Sequence, residues 1–159
     1  MATAHLTDAL RSHGLRATAP RVATLAVLED HPHAEAENVV ALVGSRIGTV
    51  SRQAVYDALN VLTTVGLVRR VAPTNRAAMY EIETDDNHHH LLCNSCGALV
   101  DFPCAVGHAP CLHPANTGGA KIVVAEVLYR GLCAACAASS IHSQTGNITA
   151  QTDLNPEEK

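Results

Sequence analysis

The chain has 159 residues, of which 47% are hydrophobic, and a formal net charge of −4. No apolar run approaches the ~20 residues that a membrane-spanning helix needs, and residues 1–11 lack the apolar segment of a signal peptide. These features favour a cytoplasmic protein of one or two small domains and exclude one that spans a membrane.

The first half of the sequence predicts helices that are separated by clear stop signals. A first helix around residues 6–10 ends at Gly14, a second begins after Thr18, and a third around residues 39–43 ends near Gly44. A fourth helix is predicted to begin at Ser51 and to end at Gly66. Two short strands follow at residues 67–71 and 78–82. Helices followed by such a hairpin are typical of a winged helix-turn-helix, so residues 1–84 are predicted to form a DNA-binding domain.

The charge distribution is compatible with this DNA-binding prediction. Residues 1–84 contain eight Lys or Arg and eight Asp or Glu, whereas residues 85–159 contain three and seven. The cations therefore lie in the first half, where clustered arginines bind DNA through local contacts in spite of the acidic total. From charge alone, a solvated surface on an ordinary helical domain is an equal alternative.

The fourth helix is predicted to read the major groove with its N-terminal residues. Arginine pairs with guanine, glutamine with adenine, and tyrosine contacts a thymine methyl group or a phosphate. Two arginines at the entry to the second helix are predicted to contact the groove or phosphates. The predicted DNA-binding residues are Arg16, Arg21, Ser51, Arg52, Gln53 and Tyr56.

The second half is predicted to be a small metal-binding domain, residues 85–142, which begins within a polar hinge at residues 84–87. Strands are predicted around residues 91–92, 98–102 and 122–129, with a short Ala-rich helix after Cys136. Residues 103–121 are predicted to be mostly loop, and residues 143–159 a disordered tail.

Four cysteines in this half form two C-x-x-C pairs, Cys93 with Cys96 and Cys133 with Cys136. Four thiolates close a tetrahedral zinc site, and two short knuckles at this separation are a common way to build one. The alternative is two unrelated redox pairs. Two further cysteines, Cys104 and Cys111, are either idle thiols or a pair that forms a reversible disulfide.

Three consecutive histidines stand directly before the first C-x-x-C pair. On a strand, residues i and i+2 share a face, so the first and third histidines are predicted to bind one ion. Imidazole and carboxylate ligands suit iron, manganese or zinc. A solvated histidine run is the alternative. The predicted regulatory metal ligands are His33, Glu81, His88, His90 and Asp101.

Together these motifs resemble the ferric-uptake-regulator (Fur) family of metal-dependent repressors over roughly residues 5–140. The resemblance rests on G-L-R-A-T-A-P-R at Gly14, H-A-E-A-E at His33, S-R-Q-A-V-Y-D-A-L-N-V-L at Ser51, H-H-H-L-L-C-N-S-C-G-A-L-V-D-F at His88, and C-A-A-C at Cys133. It implies an α+β fold, in which the winged helix is followed by a small α/β domain that contains zinc and forms a homodimer. It also implies binding to palindromic, AT-rich operators.

Carried onto this sequence, the resemblance assigns structural Zn²⁺ to the four paired cysteines and Fe²⁺ or Mn²⁺ to the regulatory ligands, where Zn²⁺ could substitute. It matches Tyr56 and Arg16 to base and minor-groove contacts. A candidate accessory metal site falls on His89 and His108, with Glu126 adjacent to its third position.

The resemblance also bears on what is sensed. Asp101 matches peroxide-sensing members, Glu81 matches the iron-type choice, and the loop from Cys104 to Cys111 looks like the branch linked to catalase-peroxidase genes. The leading hypothesis is therefore a repressor, not an enzyme, that senses peroxide at a ferrous site and controls catalase-type genes. An iron- or zinc-homeostasis repressor is the alternative within the family. A thiol redox protein and a zinc hydrolase are alternatives of another class.

Overall fold

The computed structural model describes residues 3–73, 75–84, 86–107, 111–112, 114–122 and 125–145. The chain divides into two compact units, Met1–Asn87 and His88–Lys159. The boundary falls at the end of the polar segment that the sequence analysis assigned to a hinge, residues 84–87. In the part of the chain that is described, the structure has no helix that is both long and apolar enough to cross a membrane.

The first unit consists of four helices and a three-stranded sheet. The helices are α1 (Ala4–Ser12), α2 (Ala19–Asp30), α3 (Ala36–Ile47) and α4 (Arg52–Thr64), and the strands are β1 (Ala34–Glu35), β2 (Val68–Val71) and β3 (Met79–Ile82). All four predicted helices and both predicted strands are present. The strand order is β1-β3-β2, and both strand pairs are antiparallel.

The core of the first unit is formed by aliphatic side chains from its helices. Each of these residues is less than 3% exposed, and burial of one such side chain stabilises the fold by about 1.5–3 kcal/mol. They are Leu10, Leu25, Val27, Leu28, Val39, Val43, Val55, Leu59 and Leu62. Aliphatic residues thus form the core, as the composition predicts.

The predicted end of the third helix, near Gly44, is wrong. Helix α3 runs to Ile47, and its C-cap residue is Gly48, whose φ of 79° lies in the left-handed region that glycine adopts without strain. The buried Val39 and Val43, one turn apart, hold the helix against the core up to the residue that precedes Gly44. Packing therefore outweighs the about 1 kcal/mol that an internal glycine costs relative to alanine.

Helix α4 is fixed at its start by a side-chain cap. The Ser51 hydroxyl accepts a hydrogen bond from the backbone N–H of Ala54 at 3.1 Å. Ser51→Ala is expected to lower the free energy of unfolding by about 1 kcal/mol, because it leaves an N–H of the first turn without this acceptor. Thr18→Ala is the matched control, since Thr18 occupies the N-cap of α2 without a side-chain cap bond. Equal losses in urea unfolding for the two variants would contradict this role of Ser51.

The described residues of the second unit form a three-stranded sheet and one helix. The strands are β4 (His88–Cys93), β5 (Leu99–Pro103) and β6 (Leu128–Gly131), and the helix is α5 (Ala134–Thr145). Strand β4 is central, antiparallel to β5 and parallel to β6. Between β5 and β6 the described residues form no helix or strand, in agreement with the predicted loop.

Two predicted elements of the second unit need correction. The last strand was expected over residues 122–129 but comprises Leu128–Gly131, where it pairs with β4. The last helix begins at Ala134, before rather than after Cys136, and it includes residues 143–145, which had been assigned to the tail. The remainder of the predicted tail, residues 146–159, lies outside the described residues. The α+β fold class is confirmed.

Candidate metal centres and nucleic-acid interface

The two C-x-x-C pairs come together in the second unit. Cys93 ends β4, Cys96 lies in the turn that follows it, and the second pair lies at the start of α5, next to the end of β6. The Sγ atoms of Cys96 and Cys133 are 3.8 Å apart, and all four sulfurs lie within 4.8 Å of one another. Tetrahedral zinc, with Zn–S bonds of about 2.3 Å, requires sulfurs about 3.8 Å apart, so the four thiols fit zinc.

The thiols of this cluster differ in acidity. Hydrogen bonds from backbone N–H groups, first that of Cys96, lower the pKa of the Cys93 thiol to about 5. A hydrogen bond with Ser95 acts to lower the pKa of the Cys136 thiol. The interactions with Cys133, Cys96 and Cys93 outweigh it and raise that pKa to about 12. At neutral pH Cys93 therefore presents a thiolate to a metal ion, whereas the metal must displace the proton of Cys136.

Two histidines and a carboxylate meet across β4 and β5 in the same unit. His90 stands opposite Asp101 in the antiparallel register, and its Nε2 lies 3.4 Å from Asp101 Oδ1. The rings of His88 and His90 are in edge contact, with centroids 4.9 Å apart. The structure thus brings together three of the five predicted regulatory ligands. Strand alternation puts His88 and His90 on one face, and the pairing of β4 with β5 puts Asp101 beside them.

The other two predicted ligands meet in the first unit. Strand β1 pairs with β3 through Ala34 and Tyr80, and this pairing brings the preceding His33 beside Glu81. His33 Nε2 lies 2.7 Å from Glu81 Oε2, and the two side chains are only 13% and 5% exposed. His33 also has a φ of 61°, an uncommon conformation for a residue other than glycine and one often found at functional sites.

A basic group balances the buried Glu81 carboxylate. Arg69, on the neighbouring strand β2, lies 3.6 Å from Glu81 and donates two hydrogen bonds to Glu83, at 2.9 and 2.5 Å. Burial acts to lower the pKa of the guanidinium, but the hydrogen bonds and charges of these carboxylates outweigh it and raise the pKa of Arg69. Arg69 therefore stays cationic and compensates part of the negative charge beside His33.

A third cluster of metal-ligating side chains lies in the second unit. His89, Cys104 and Cys111 offer ligand atoms that all lie within 4.8 Å of one another. The predicted accessory site instead combined His89 with His108, which lies outside the described residues, and with Glu126, which is exposed. The cysteines were considered only as idle thiols or as a redox pair, because nothing in the sequence indicates that the loop folds back onto the middle histidine of β4.

The predicted DNA-binding residues at the start of α4 share a partner that the sequence analysis missed. Glu37, in the first turn of α3, accepts hydrogen bonds from Arg52 at 2.5 Å and from the Tyr56 hydroxyl at 2.6 Å. The bond to Glu37 raises the pKa of Tyr56. An acidic residue in the first turn of a helix is common because it complements the helix dipole. Glu37 is explained by this local effect alone, so the sequence does not indicate its contact with α4.

The remaining predicted DNA-binding residues are near the surface of the same unit. Arg16 is exposed, and its backbone carbonyl accepts a hydrogen bond from Arg21 at 3.1 Å. Gln53 is exposed and donates to Asp57 at 2.7 Å, one turn further along α4. Arg52, with 68% of its side chain exposed, is accessible to a ligand in spite of its ion pair.

Comparison with known proteins identifies the family. Residues 12–110 match the model of the Ferric uptake regulator family. The chain is 53% identical to ferric uptake regulation protein 1 of Mycolicibacterium fortuitum over 123 residues, which cover 77% of this chain and 76% of that protein.

The solved structures that are similar to this chain include two regulators. One is the ferric uptake regulator of Vibrio cholerae, with a TM-score of 0.64 and 24% identity over 80% of this chain and 99% of that one. The other is the peroxide stress regulator of Campylobacter jejuni, with a TM-score of 0.51 and 30% identity over 62% of this chain and 72% of that one. The first similarity supports the predicted fold. The chain belongs to the Ferric uptake regulator family of metal-dependent transcriptional regulators.

Proposed function

We propose that this regulator is a homodimeric repressor that binds palindromic, AT-rich operator DNA when a regulatory ion is bound, and that peroxide releases it from catalase-type genes. The observation that carries the proposal is the pairing of ligands inside each unit, His33 with Glu81 and His90 with Asp101. Together with His88, these side chains form a donor set of imidazoles and carboxylates, which suits Fe²⁺ or Mn²⁺ and also accepts Zn²⁺. The four paired cysteines hold a separate, structural Zn²⁺.

The division of the ligands between two units supplies a mechanism for control by metal. The regulatory ion needs ligands from both units. It therefore binds most tightly to the protein when the units are oriented so that all five side chains reach it. Such differential affinity shifts the population toward that orientation. In the dimer, the orientation sets the spacing of the two α4 helices, and hence their fit to the two half-sites of an operator.

The ligand residues also offer a route to peroxide sensing. Ferrous iron, when bound, supplies the reducing chemistry that makes peroxide reactive beside its ligands. Peroxide would transfer one oxygen atom to the imidazole of His33 or His88 and leave as water. The oxidised ring would be a poorer nitrogen donor and would weaken the ion's hold on both units. Support comes from Asp101, which matches peroxide-sensing members of the family, and from the similarity to the C. jejuni peroxide stress regulator.

An iron-homeostasis repressor is the second candidate. It is favoured by Glu81, the iron-type residue at that position, and by the similarity to a ferric uptake regulation protein. The two candidates differ in what releases the DNA. An iron regulator is released by iron withdrawal and survives stoichiometric peroxide, whereas a peroxide sensor is inactivated by it and is not restored by added metal.

The proposed base contacts are tested by changes in α4. Arg52→Ala and Tyr56→Ala are each expected to weaken operator binding by about 1–3 kcal/mol, since each removes a base or phosphate contact. Glu37→Gln should instead strengthen binding, because it releases both side chains from the carboxylate and removes a negative charge near the phosphates. Fluorescence anisotropy with labelled operator measures all three. Wild-type affinity in both alanine variants would show that α4 does not read DNA.

The proposed function is tested with the promoter of the chain's own gene. The apoprotein carrying only tightly bound zinc should bind this fragment weakly, and Mn²⁺ or anaerobic Fe²⁺ should produce a specific, salt-dependent complex. Manganese serves as the redox-silent control, because its complex should resist peroxide while the iron complex dissociates. Absence of any metal-dependent complex would contradict the proposal and favour a thiol redox protein or a zinc hydrolase.

A further inference from the structure

We infer that His89, Cys104 and Cys111 form a second zinc site, distinct from both the four-cysteine cluster and the regulatory ligands. The site lies wholly within the second unit. His89 belongs to the central strand β4, and the two cysteines belong to the segment that follows β5. Because neighbouring residues on a strand face opposite sides of the sheet, the side chain of His89 is directed away from the face of His88 and His90.

The distances match those that zinc imposes on its ligands. His89 Nε2 lies 3.4 Å from Cys111 Sγ, and the third ligand atom, Cys104 Sγ, is within 4.8 Å of both. Tetrahedral zinc with Zn–S of about 2.3 Å and Zn–N of about 2.0 Å needs nitrogen and sulfur about 3.5 Å apart. A small inward movement of Cys104 would complete the ligand set.

The surroundings also favour a bound cation over idle thiols. His89 is 6% exposed, and its ring makes an edge contact with Tyr129 on β6, with centroids 6.3 Å apart, so the imidazole is held in place. Cys104 accepts a hydrogen bond from the backbone N–H of Val106 at 3.4 Å, which stabilises a thiolate. Both cysteines are half-buried and thus reachable by an ion from solvent.

The donor set indicates the kind of ion and the openness of the site. Two thiolates and one imidazole favour zinc over the harder Fe²⁺ and Mn²⁺. Three protein ligands leave the fourth tetrahedral position open to water or another small ligand, as in zinc sites that exchange their ligands. A disulfide between Cys104 and Cys111 would use the same two sulfurs, so the disulfide and the zinc exclude each other.

Cobalt substitution tests the site in the full chain, kept under a phosphine reductant. Thiolate-to-cobalt charge-transfer absorption reports only sites with cysteine ligands, so the regulatory ion does not contribute to it. The wild type should show two successive charge-transfer phases. Cys104→Ser and Cys111→Ser should each lose one phase and one equivalent of zinc by elemental analysis, while they keep the phase of the four-cysteine cluster.

Two further variants separate this inference from the proposed function. His89→Asn should lose the same phase, whereas His88→Ala, which disrupts only the regulatory set, should keep it. In the wild type, added Zn²⁺ should also slow alkylation of Cys104 and Cys111 by about tenfold, because the free thiolate is the nucleophile. Identical cobalt spectra and zinc contents in wild type, Cys104→Ser and Cys111→Ser would overturn the inference.

Discussion

Cys93→Ser is expected to strip zinc from the four-cysteine cluster and to unfold the second unit. A structural zinc site contributes binding free energy directly to folding, on the order of 10–16 kcal/mol in small zinc domains, which exceeds the stability of most domains of this size. In this unit the cluster ties the β4–β5 turn to the start of α5, because Cys93 pairs with Gly131 just before the second C-x-x-C pair. Zinc content and circular dichroism should therefore fall together.

Cys133→Ser should have the same effect, and Cys104→Ser is the matched control. The control removes a thiol from the same unit but not from the four-cysteine cluster, so it should lose only the zinc of the open three-ligand site and keep the circular dichroism of the folded unit. A fully folded Cys93→Ser protein with undiminished zinc would show that the paired cysteines do not hold the unit together.

The second large effect is expected when a regulatory histidine of β4 is removed. His90→Ala deletes an imidazole that faces Asp101, and His88→Ala deletes the adjacent ring. Mutation of a residue that only hydrogen-bonds to a metal ligand weakens metal binding by about 10–100-fold. Loss of a direct ligand should weaken Mn²⁺ binding by more than this. Metal-dependent operator binding should disappear in anisotropy assays at the metal concentration that saturates the wild type.

Two controls keep this result interpretable. His88 is only half-buried, so its loss should leave the fold, the structural zinc and the dimer intact even if the buried His90 also supports packing. His13→Ala changes an exposed histidine of the first unit and should bind metal and DNA as the wild type does. Metal-responsive DNA binding retained in both β4 variants would shift attention to His89 and its two cysteines.

The sequence was sufficient wherever local chemistry determines structure. Ser51, Gly14 and Gly66 mark helix ends through a side-chain cap or a positive φ, both of which follow from residue type. The prediction that His88 and His90 share one face rests on strand alternation alone, whereas their position beside Asp101 is set by the pairing of β4 with β5. The strand alternation that separates His89 from its two neighbours is likewise a local property.

What the sequence did not predict depends on contacts between distant segments. Strand β1 has only two residues and is defined by its pairing with β3, so it is too short for the sequence pattern to predict it. Glu37 meets Arg52 and Tyr56 across the α3–α4 pair, and His89 meets Cys111 although the end of β4, all of β5 and the segment after β5 separate them along the chain. Such pairings require the packed fold, since side chains far apart in the chain carry no common sequence signal.

The most direct test of the central claim is mass spectrometry of the iron-loaded protein after one equivalent of peroxide. One oxygen atom is expected to be added to the peptide containing His33 or to that containing His88, with loss of operator binding. The manganese-loaded protein should remain unmodified. Unmodified histidines together with a Cys104–Cys111 disulfide, or DNA binding that survives the treatment, would contradict it.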